Sequence, residues 1–334
     1  MKAEHIRTLL SAAMVLSILG GTVLVPGVAR SEYPERPITV IVGMQPGGPM
    51  DLSTRAISVG AEKYLGQPLV IENRTGGSGA IAASVVASSK PDGYRIWGGA
   101  STGLIRTPLL LKVTTYKPLK SFTPILGYAS PINAIVVRKD APWRSLAELI
   151  DYAKKNPGKI RYTAGTIGTA MHHAMEYLKH KEGIQWVYIP QTGAAPAMTA
   201  LLGGHVEVCA AGSDFVPHAR SGAVRPLALL EEKRSPSFTD IPTLKELGYD
   251  FVNEQVFGVF GPAGLPPEIV KKLETAFEKG METPEFRTLA EKLSLNLVHY
   301  GSGEFDAYLK ESWIRIEKSM KETGIIKEAA TPPY

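Results

Sequence analysis

Two glycine-bearing junctions, about 140 residues apart, each join a β-rich run to the start of a helix. They are Met44-Gln45-Pro46-Gly47-Gly48-Pro49-Met50-Asp51 and Ile189-Pro190-Gln191-Thr192-Gly193-Ala194-Ala195-Pro196-Ala197. Glycine lets the backbone approach a ligand closely, and the first N–H groups of a helix lack internal partners, so each junction is a seat for an anion. Strand, tight loop and helix in that order build layered α/β units, and the chain contains the arrangement twice. Two such seats facing each other grip one carboxylate.

The surrounding runs keep the same alternation. Residues 37–43 are β-rich, 51–65 read as a helix closed by Gly66, 68–73 as a strand, 80–89 as a helix and 94–99 as a strand. After a less regular segment, 101–122, a second series begins at 133–138. It continues with a helix over 146–156 stopped by Pro157-Gly158, a strand over 159–164 and a helix over 169–181. In that helix Met171, Ala174, Met175 and Leu178 form one buried stripe. Strands over 185–189, 206–211 and 224–230 and a helix over 195–202 complete the series, followed by helices over 267–281, 284–293 and 304–320 and a strand over 296–300. The alternation predicts parallel sheets with helices on both faces, in a bilobed α/β protein whose C-terminal helices return to the first lobe. Ligands in such sheets bind beyond the carboxyl ends of strands, where both junctions lie.

Residues 1–29 read as an export signal: Lys2 and Arg7 give a basic start, an apolar stretch spans roughly residues 9 to 25, and Gly27-Val28-Ala29 suits cleavage. An uncleaved anchor is the rival reading, but Gly20-Gly21 and Pro26 interrupt the stretch. No later segment approaches the ~18–20 apolar residues that span a bilayer. The mature chain is expected to begin near Arg30, soluble and outside the cytoplasm. Without Lys2, Arg7 and Glu4 the formal charge of +5 becomes +4. That mild excess suits anionic small molecules, and no Lys/Arg cluster interleaved with aromatics argues for nucleic acid. Cys209, the single cysteine, sits in an apolar run and reads as a buried small hydrophobe.

Several further segments carry a family resemblance. Tyr33-Pro34-Glu35-Arg36-Pro37-Ile38, Pro46-Gly47-Gly48-Pro49-Met50-Asp51, Leu65-Gly66-Gln67-Pro68-Leu69-Val70-Ile71-Glu72-Asn73-Arg74 and Lys90-Pro91-Asp92-Gly93-Tyr94 resemble the Bug family. These are extracytoplasmic solute receptors of tripartite tricarboxylate transporters. Ala200-Leu201-Leu202-Gly203-Gly204-His205-Val206-Glu207, Asp240-Ile241-Pro242-Thr243 and Gly261-Pro262-Ala263-Gly264-Leu265-Pro266 extend the likeness over nearly the whole mature chain. The resemblance implies a monomeric receptor of periplasmic binding protein fold. Residues 30–131 plus 254–334 would form one domain and 132–253 the other, with crossing strands as the hinge. It also implies closure on a carboxylated solute, no cofactor, and delivery to integral membrane permease subunits.

Carried over by position, Gly47, Gly48 and Pro49 line one side of the carboxylate, and Gly193, Ala194 and Ala195 the other. Asp51 is expected to cap its helix and brace the loop rather than touch ligand, and Pro196 fits a first helical turn. The segment 162–172 resembles a third loop, which reads the distal part of the solute. Thr166, Gly168 and Thr169 are its candidates, with N-capping the rival role for Thr169. Ala164 and Thr166 depart from the family's usual serine and glycine, as do Met44-Gln45 and Gln191-Thr192 from an aromatic-proline and a Tyr-Lys pair. Gln45 and Gln191 thus make a softer, more polar pocket. Ser101, Thr102 and Asp214 follow strand ends and are candidate contacts; a local cap is the rival for Asp214. Arg106 is weighed as a partner for a second carboxylate against a solvated loop charge.

Other classes are weaker. Gly77-Ser78-Gly79-Ala80-Ile81-Ala82 fits a dinucleotide fingerprint, but no acidic residue ends the next strand. His172, His173 and Glu176 suggest a metal, yet no further ligand follows at a recognisable spacing. No nucleophile elbow is present for hydrolysis. A receptor signalling to a membrane kinase would share the ligand chemistry and stays open beside the transporter reading.

Overall fold

Three short apolar runs, Ile38–Val42 (β1), Leu69–Asn73 (β2) and Arg95–Ala100 (β3), pair in parallel with β1 in the middle. They belong to a computed structural model that describes residues 33–110, 115–165, 167, 169–253 and 255–327. The export signal expected over 1–29 lies outside the described residues. Three more strands extend this sheet: Phe122–Pro131 (β4), Phe257–Pro262 (β10) and Leu295–Gly301 (β11). Its order is β11-β4-β10-β3-β1-β2. A second sheet holds Ala134–Arg138 (β5), Arg161–Thr163 (β6), Val187–Tyr188 (β7), Val208–Ala211 (β8) and Val224–Leu229 (β9), in the order β7-β6-β8-β5-β9.

The sheets are mixed, which corrects the expectation of parallel sheets. β10 runs antiparallel to both β3 and β4, β11 antiparallel to β4, and β5 antiparallel to both β8 and β9. The chain crosses between sheets twice, and each crossing reverses the direction in which the next strand enters.

Helices Pro49–Leu65 (α1), Ala80–Ala87 (α2), Ser101–Leu104 (α3) and Arg106–Leu110 (α4) follow the first three strands. Leu146–Lys155 (α5), Ala170–Glu182 (α6), Ala194–Leu202 (α7) and Phe215–Arg220 (α8) accompany the second sheet. Pro267–Glu282 (α9), Pro284–Lys292 (α10) and Ser302–Glu322 (α11) return to the first. α1 starts on proline and stops at Gly66, whose left-handed φ of 68° suits a residue without Cβ. One face of α11 buries Phe305, Leu309, Trp313, Ile316 and Met320 against Trp97, Phe122 and Phe260. α5 and α6 cover one face of the second sheet with Leu149, Ile150, Met175 and Leu178; α7 and α8 cover the other with Met198, Leu201 and Phe215.

Just two residues, Ile132 and Asn133, separate β4 from β5, and the chain returns from β9 to β10 through residues 230–256. The two crossings are bonded to each other. Leu230 donates its N–H to the Asn133 carbonyl at 3.0 Å, and Glu231 Oε1 accepts from the Asn133 amide at 2.7 Å and from its Nδ2 at 3.0 Å. Glu231 is 6% exposed, and burial pushes its carboxyl up to about 8, against the hydrogen bonds from Asn133. Because the folded value lies above the unfolded one, the stability this group contributes is complete below about pH 4.5 and is lost as pH rises through 8. Glu231→Gln keeps the acceptor and cannot ionise. In urea titrations the variant should match the wild type at pH 5 and exceed it by about 2 kcal/mol or more at pH 9. Parallel pH profiles of the two proteins would contradict this.

Candidate functional site

With β4 and β5 so closely joined, the end of the first sheet where β1, β3 and β4 finish adjoins the end of the second where β5 begins and β6, β8 and β9 finish. The segments after β1, β3, β6, β7 and β8 therefore all emerge at the same inter-sheet level. Those segments hold the residues the sequence singled out: Gln45, Gly47, Gly48 and Pro49; Ser101 and Thr102; Thr169; Gln191, Gly193, Ala194 and Ala195; and Asp214. Thr166 and Gly168 lie outside the described residues.

In the first loop Gly48 is the N-cap of α1 and Pro49 its first residue, and Leu52 donates the first intrahelical bond to the Gly48 carbonyl at 2.9 Å. Gly47 spends its N–H on Asp51 Oδ2 at 2.9 Å, and Gly48 donates to the Gln45 carbonyl at 3.3 Å. The donors at this helix start are therefore the amides of Met50 and Asp51, which have no carbonyl four residues back within the helix. Proline at 49 is the signal that points there, since it removes the first N–H and shifts the seat one residue on.

Asp51 is not an N-cap, as expected from the sequence, but the third helical residue. It is 1% exposed. Its carboxylate accepts from the Gly47 amide, from Arg55 Nε at 3.0 Å and from Asn73 Nδ2 at 2.8 Å, while Asn73 also donates to the Met44 carbonyl at 3.0 Å. Burial raises the Asp51 carboxyl, but these hydrogen bonds and the Arg55 charge outweigh it and hold it below its ordinary value. The result is a loop braced from below by an ionised side chain.

The second loop repeats the logic with alanines. Gly193 is the N-cap of α7, Ala197 donates to its carbonyl at 3.2 Å, and Pro196 is the third helical residue, so the amides of Ala194 and Ala195 are the ones left over. Ala194 and Ala195 are exposed. The Gly165 carbonyl ties this loop to the one after β6, accepting from the Gln191 amide at 3.1 Å and the Tyr188 hydroxyl at 2.7 Å.

Other candidates turn out to hold the frame. Thr169 caps α6, accepting from the His172 amide and donating to the Ala164 carbonyl, both at 3.2 Å. Ser101 is buried, and its amide and hydroxyl pin the end of β3 to Val256. Thr102 is half-buried. Asp214 makes no side-chain cap, and burial pushes its carboxyl up. Arg106 is no solvated charge: it is 4% exposed, with Nη1 2.9 Å from His173 Nδ1 on α6, while His173 Nε2 lies 3.0 Å from Ser319 Oγ on α11. Burial, reinforced by the Arg106 charge, holds His173 well below the usual imidazole range. This bridge, tying the segment after β3 and the C-terminal helix to α6, was not legible in the sequence.

The residues behind the rival readings have other work. A Cβ on Gly43 would fall 2.8 Å from Gly79 Cα, so the glycine-rich turn lets the start of α2 pack against the end of β1. Glu176 accepts from the Tyr162 hydroxyl at 2.5 Å and from Lys179 at 3.2 Å, and the His172 ring lies 4.6 Å from that of Tyr188. Cys209 is buried in β8 and its thiol is pushed up by burial. Among the described residues no three His, Cys, Asp or Glu side chains are grouped to hold a metal.

The model of the tripartite tricarboxylate transporter family receptor, TctC, matches residues 53–328. The chain belongs to this receptor family. BugT of Bordetella pertussis is 32% identical to the receptor over 279 residues, 80% of this chain and 85% of that protein. A ligand-free TctC solute binding protein from Polaromonas superposes with a TM-score of 0.77 at 31% identity, covering 89% of the receptor and 100% of that chain. An R. palustris protein solved with adipate does so with a TM-score of 0.75 at 29% identity, covering 88% and 99%. The fold is thus the bilobed one of periplasmic solute-binding proteins, and the family is one of receptors. No described helix of the receptor is long and apolar enough to cross a membrane.

Proposed function

We propose that the receptor captures a small carboxylated organic acid between its lobes, holding one carboxylate with the amides of Met50 and Asp51 from one side and Ala194 and Ala195 from the other. The observation that carries this reading is the pair of glycines in front of those amides. Gly48 (φ −76°, ψ 165°) and Gly193 (φ 164°, ψ −172°) have extended backbones that any residue adopts. A Cβ on Gly48 would meet only the Gln45 carbonyl, at 3.4 Å, and one on Gly193 would meet nothing within 4 Å. The fold does not demand glycine at either place, whereas an anion approaching the helix starts does.

Hydrogen bonds to a charged group contribute about 1.5–3 kcal/mol each, so four amides support roughly micromolar binding after the cost of association. The relative solved with adipate supports a dicarboxylate as the solute class. In this reading Pro49 flanks that carboxylate, and Gln45, Thr102, Gln191 and Asp214 surround the distal end. Residues 30–131 plus 254–334 and residues 132–253 are the lobes that close, because an acid touching both binds the closed state better than the open one. Cleavage of residues 1–29 places the receptor in the periplasm, where it delivers its solute to integral membrane permease subunits.

A thermal-shift screen of a few dozen organic acids tests the proposal. A cognate acid at 100 times its Kd should stabilise the receptor by about 2.7 kcal/mol. A panel of mono-, di- and tricarboxylates that leaves the melting temperature unmoved would overturn it.

A further inference from the structure

A cavity of about 850 Å³, within the ~300–1,000 Å³ range of small-molecule sites, lies apart from both carboxylate loops. None of its lining residues belongs to the segments after β1, β3, β6, β7 and β8. Its floor is the return crossing, at Glu231 and Asn253; one wall is the loop after β9, at Ser237, and another the edge strand β11, at Asn296 and Tyr300. The Asn253 amide donates to the Leu230 carbonyl at 2.5 Å, which sets Asn253 next to Glu231. Each of the two is 6% exposed, yet Glu231 Oε2 and both polar side-chain atoms of Asn253 have no hydrogen-bond partner among the described residues. Three buried polar atoms left unsatisfied are costly to a fold, and a polar guest in the cavity removes that cost.

We propose that this cavity is a second ligand site, for an uncharged molecule that joins a primary carboxamide to an apolar body. Glu231 Oε1 accepts from the Asn133 amide at 2.7 Å and from its Nδ2 at 3.0 Å, so the proton of the neutral acid falls on Oε2. Burial pushes this carboxyl up to about 8, which keeps most of it neutral at pH 7. The floor therefore offers an O–H donor together with the carbonyl and NH2 of Asn253. A carboxamide presents an acceptor and a donor side by side, as Asn253 does, so the two pair edge to edge, and the guest's carbonyl keeps a second lone pair for the Glu231 hydroxyl. All three unpartnered atoms are then satisfied. A carboxylate has no proton for the Asn253 carbonyl, and an ammonium has no lone pair for either donor. The lining as a whole holds as many basic as acidic side chains, so it sets up no net field for a charged guest. Above the floor Val256, Leu295, Val298, Tyr300 and Tyr308 supply apolar surface, the two tyrosine rings stacked at 4.9 Å.

This second site does not depend on solute capture, and benzamide is the probe that tests it. In amide spectra of the isotope-labelled full chain, benzamide should shift the Asn253 side-chain amide and the backbone amides of Asn296 and Tyr300, with a Kd of about 1 mM or lower. Benzoate, benzylamine and benzyl alcohol keep the ring and change the head group, and each should bind there at least about fivefold more weakly. Asn253→Leu removes the paired amide, and Ser237→Trp fills the cavity from an exposed position on its wall; each should weaken benzamide at least about tenfold. Lys159→Trp, at an exposed position outside the lining, is the control and should leave the Kd unchanged. Cavity amides that stay unmoved at about ten times the expected Kd would mean that water alone meets the floor, and would overturn the site. Shifts centred on Met50 and Ala194 would place benzamide in the solute cleft and overturn it too. A charged or hydroxyl isostere that matches benzamide would overturn the carboxamide guest, and so would a folded Ser237→Trp variant with the wild-type Kd. Because Ser237 stands away from the floor, its variant decides if Asn253→Leu fails to fold.

Discussion

Gly193→Val should weaken binding of every carboxylate by at least about 2 kcal/mol, roughly thirtyfold, while the ligand-free protein loses no more than about 1 kcal/mol of stability. The asymmetry between the two effects is the point of the experiment. At φ 164° and ψ −172° the position is plain extended backbone, and the space around its missing Cβ is empty to 4 Å, so valine meets neither strain nor a neighbour. The stability cost is the modest one of a poor N-cap residue. A branched side chain there stands in front of the Ala194 and Ala195 amides, and a carboxylate kept from them loses two charge-assisted hydrogen bonds. Titration calorimetry and melting curves on the same preparations read the two quantities. An unchanged Kd would remove the second loop from the site.

Asp51→Ala should cost about 2–4 kcal/mol of stability at pH 7 and weaken carboxylate binding about tenfold or more. Asp51 is 1% exposed and gathers donors from Gly47, Arg55 and Asn73, so its loss removes the bonds that hold the loop before α1, leaves Asn73 and Arg55 short of their shared acceptor and lets the loop move. The pH dependence has a definite sign. The folded carboxyl is held below its ordinary value of 3.8, so its stabilisation is present above about pH 4 and is lost as pH falls through the folded value. Urea unfolding should therefore separate wild type from variant widely at pH 7 and much less at pH 3. Equal gaps at both values would mean that charge on Asp51 is not what braces the loop.

The parts of the fold that showed in the sequence are those whose apolar residues obey a local period. β1 and β2 are short runs rich in branched residues between turn residues, and α6 and α11 carry unbroken apolar stripes. β4 and β10 did not show, because Pro124, Gly127, Gly258 and Gly261 interrupt their pattern. The reason is tertiary: the Phe305 ring of α11 lies over this part of the sheet, where a Cβ on Gly258 would collide with it and one on Gly127 would come within 3.2 Å. These two strands also lead into and out of the crossings, so a chain read without them has only the parallel alternation of its remaining strands and helices to show.

At the site, glycine and proline marked both helix starts, since those residues act through the backbone alone. Which amides remain for an anion depends on partners: Asp51 reaches back to Gly47, and prolines at 49 and 196 delete one donor each. The buried place of Arg106 is hidden from the sequence for a similar reason, its partner His173 lying 67 residues along the chain and the next link, Ser319, a further 146.

Backbone amide resonances of the isotope-labelled receptor, followed while the acid that stabilises it most is titrated in, test the central claim directly. The amide protons of Met50, Asp51, Ala194 and Ala195 should move downfield together and saturate with a single Kd. Movement confined to one of the two loops, or centred away from both, would contradict a carboxylate held by two opposed helix starts.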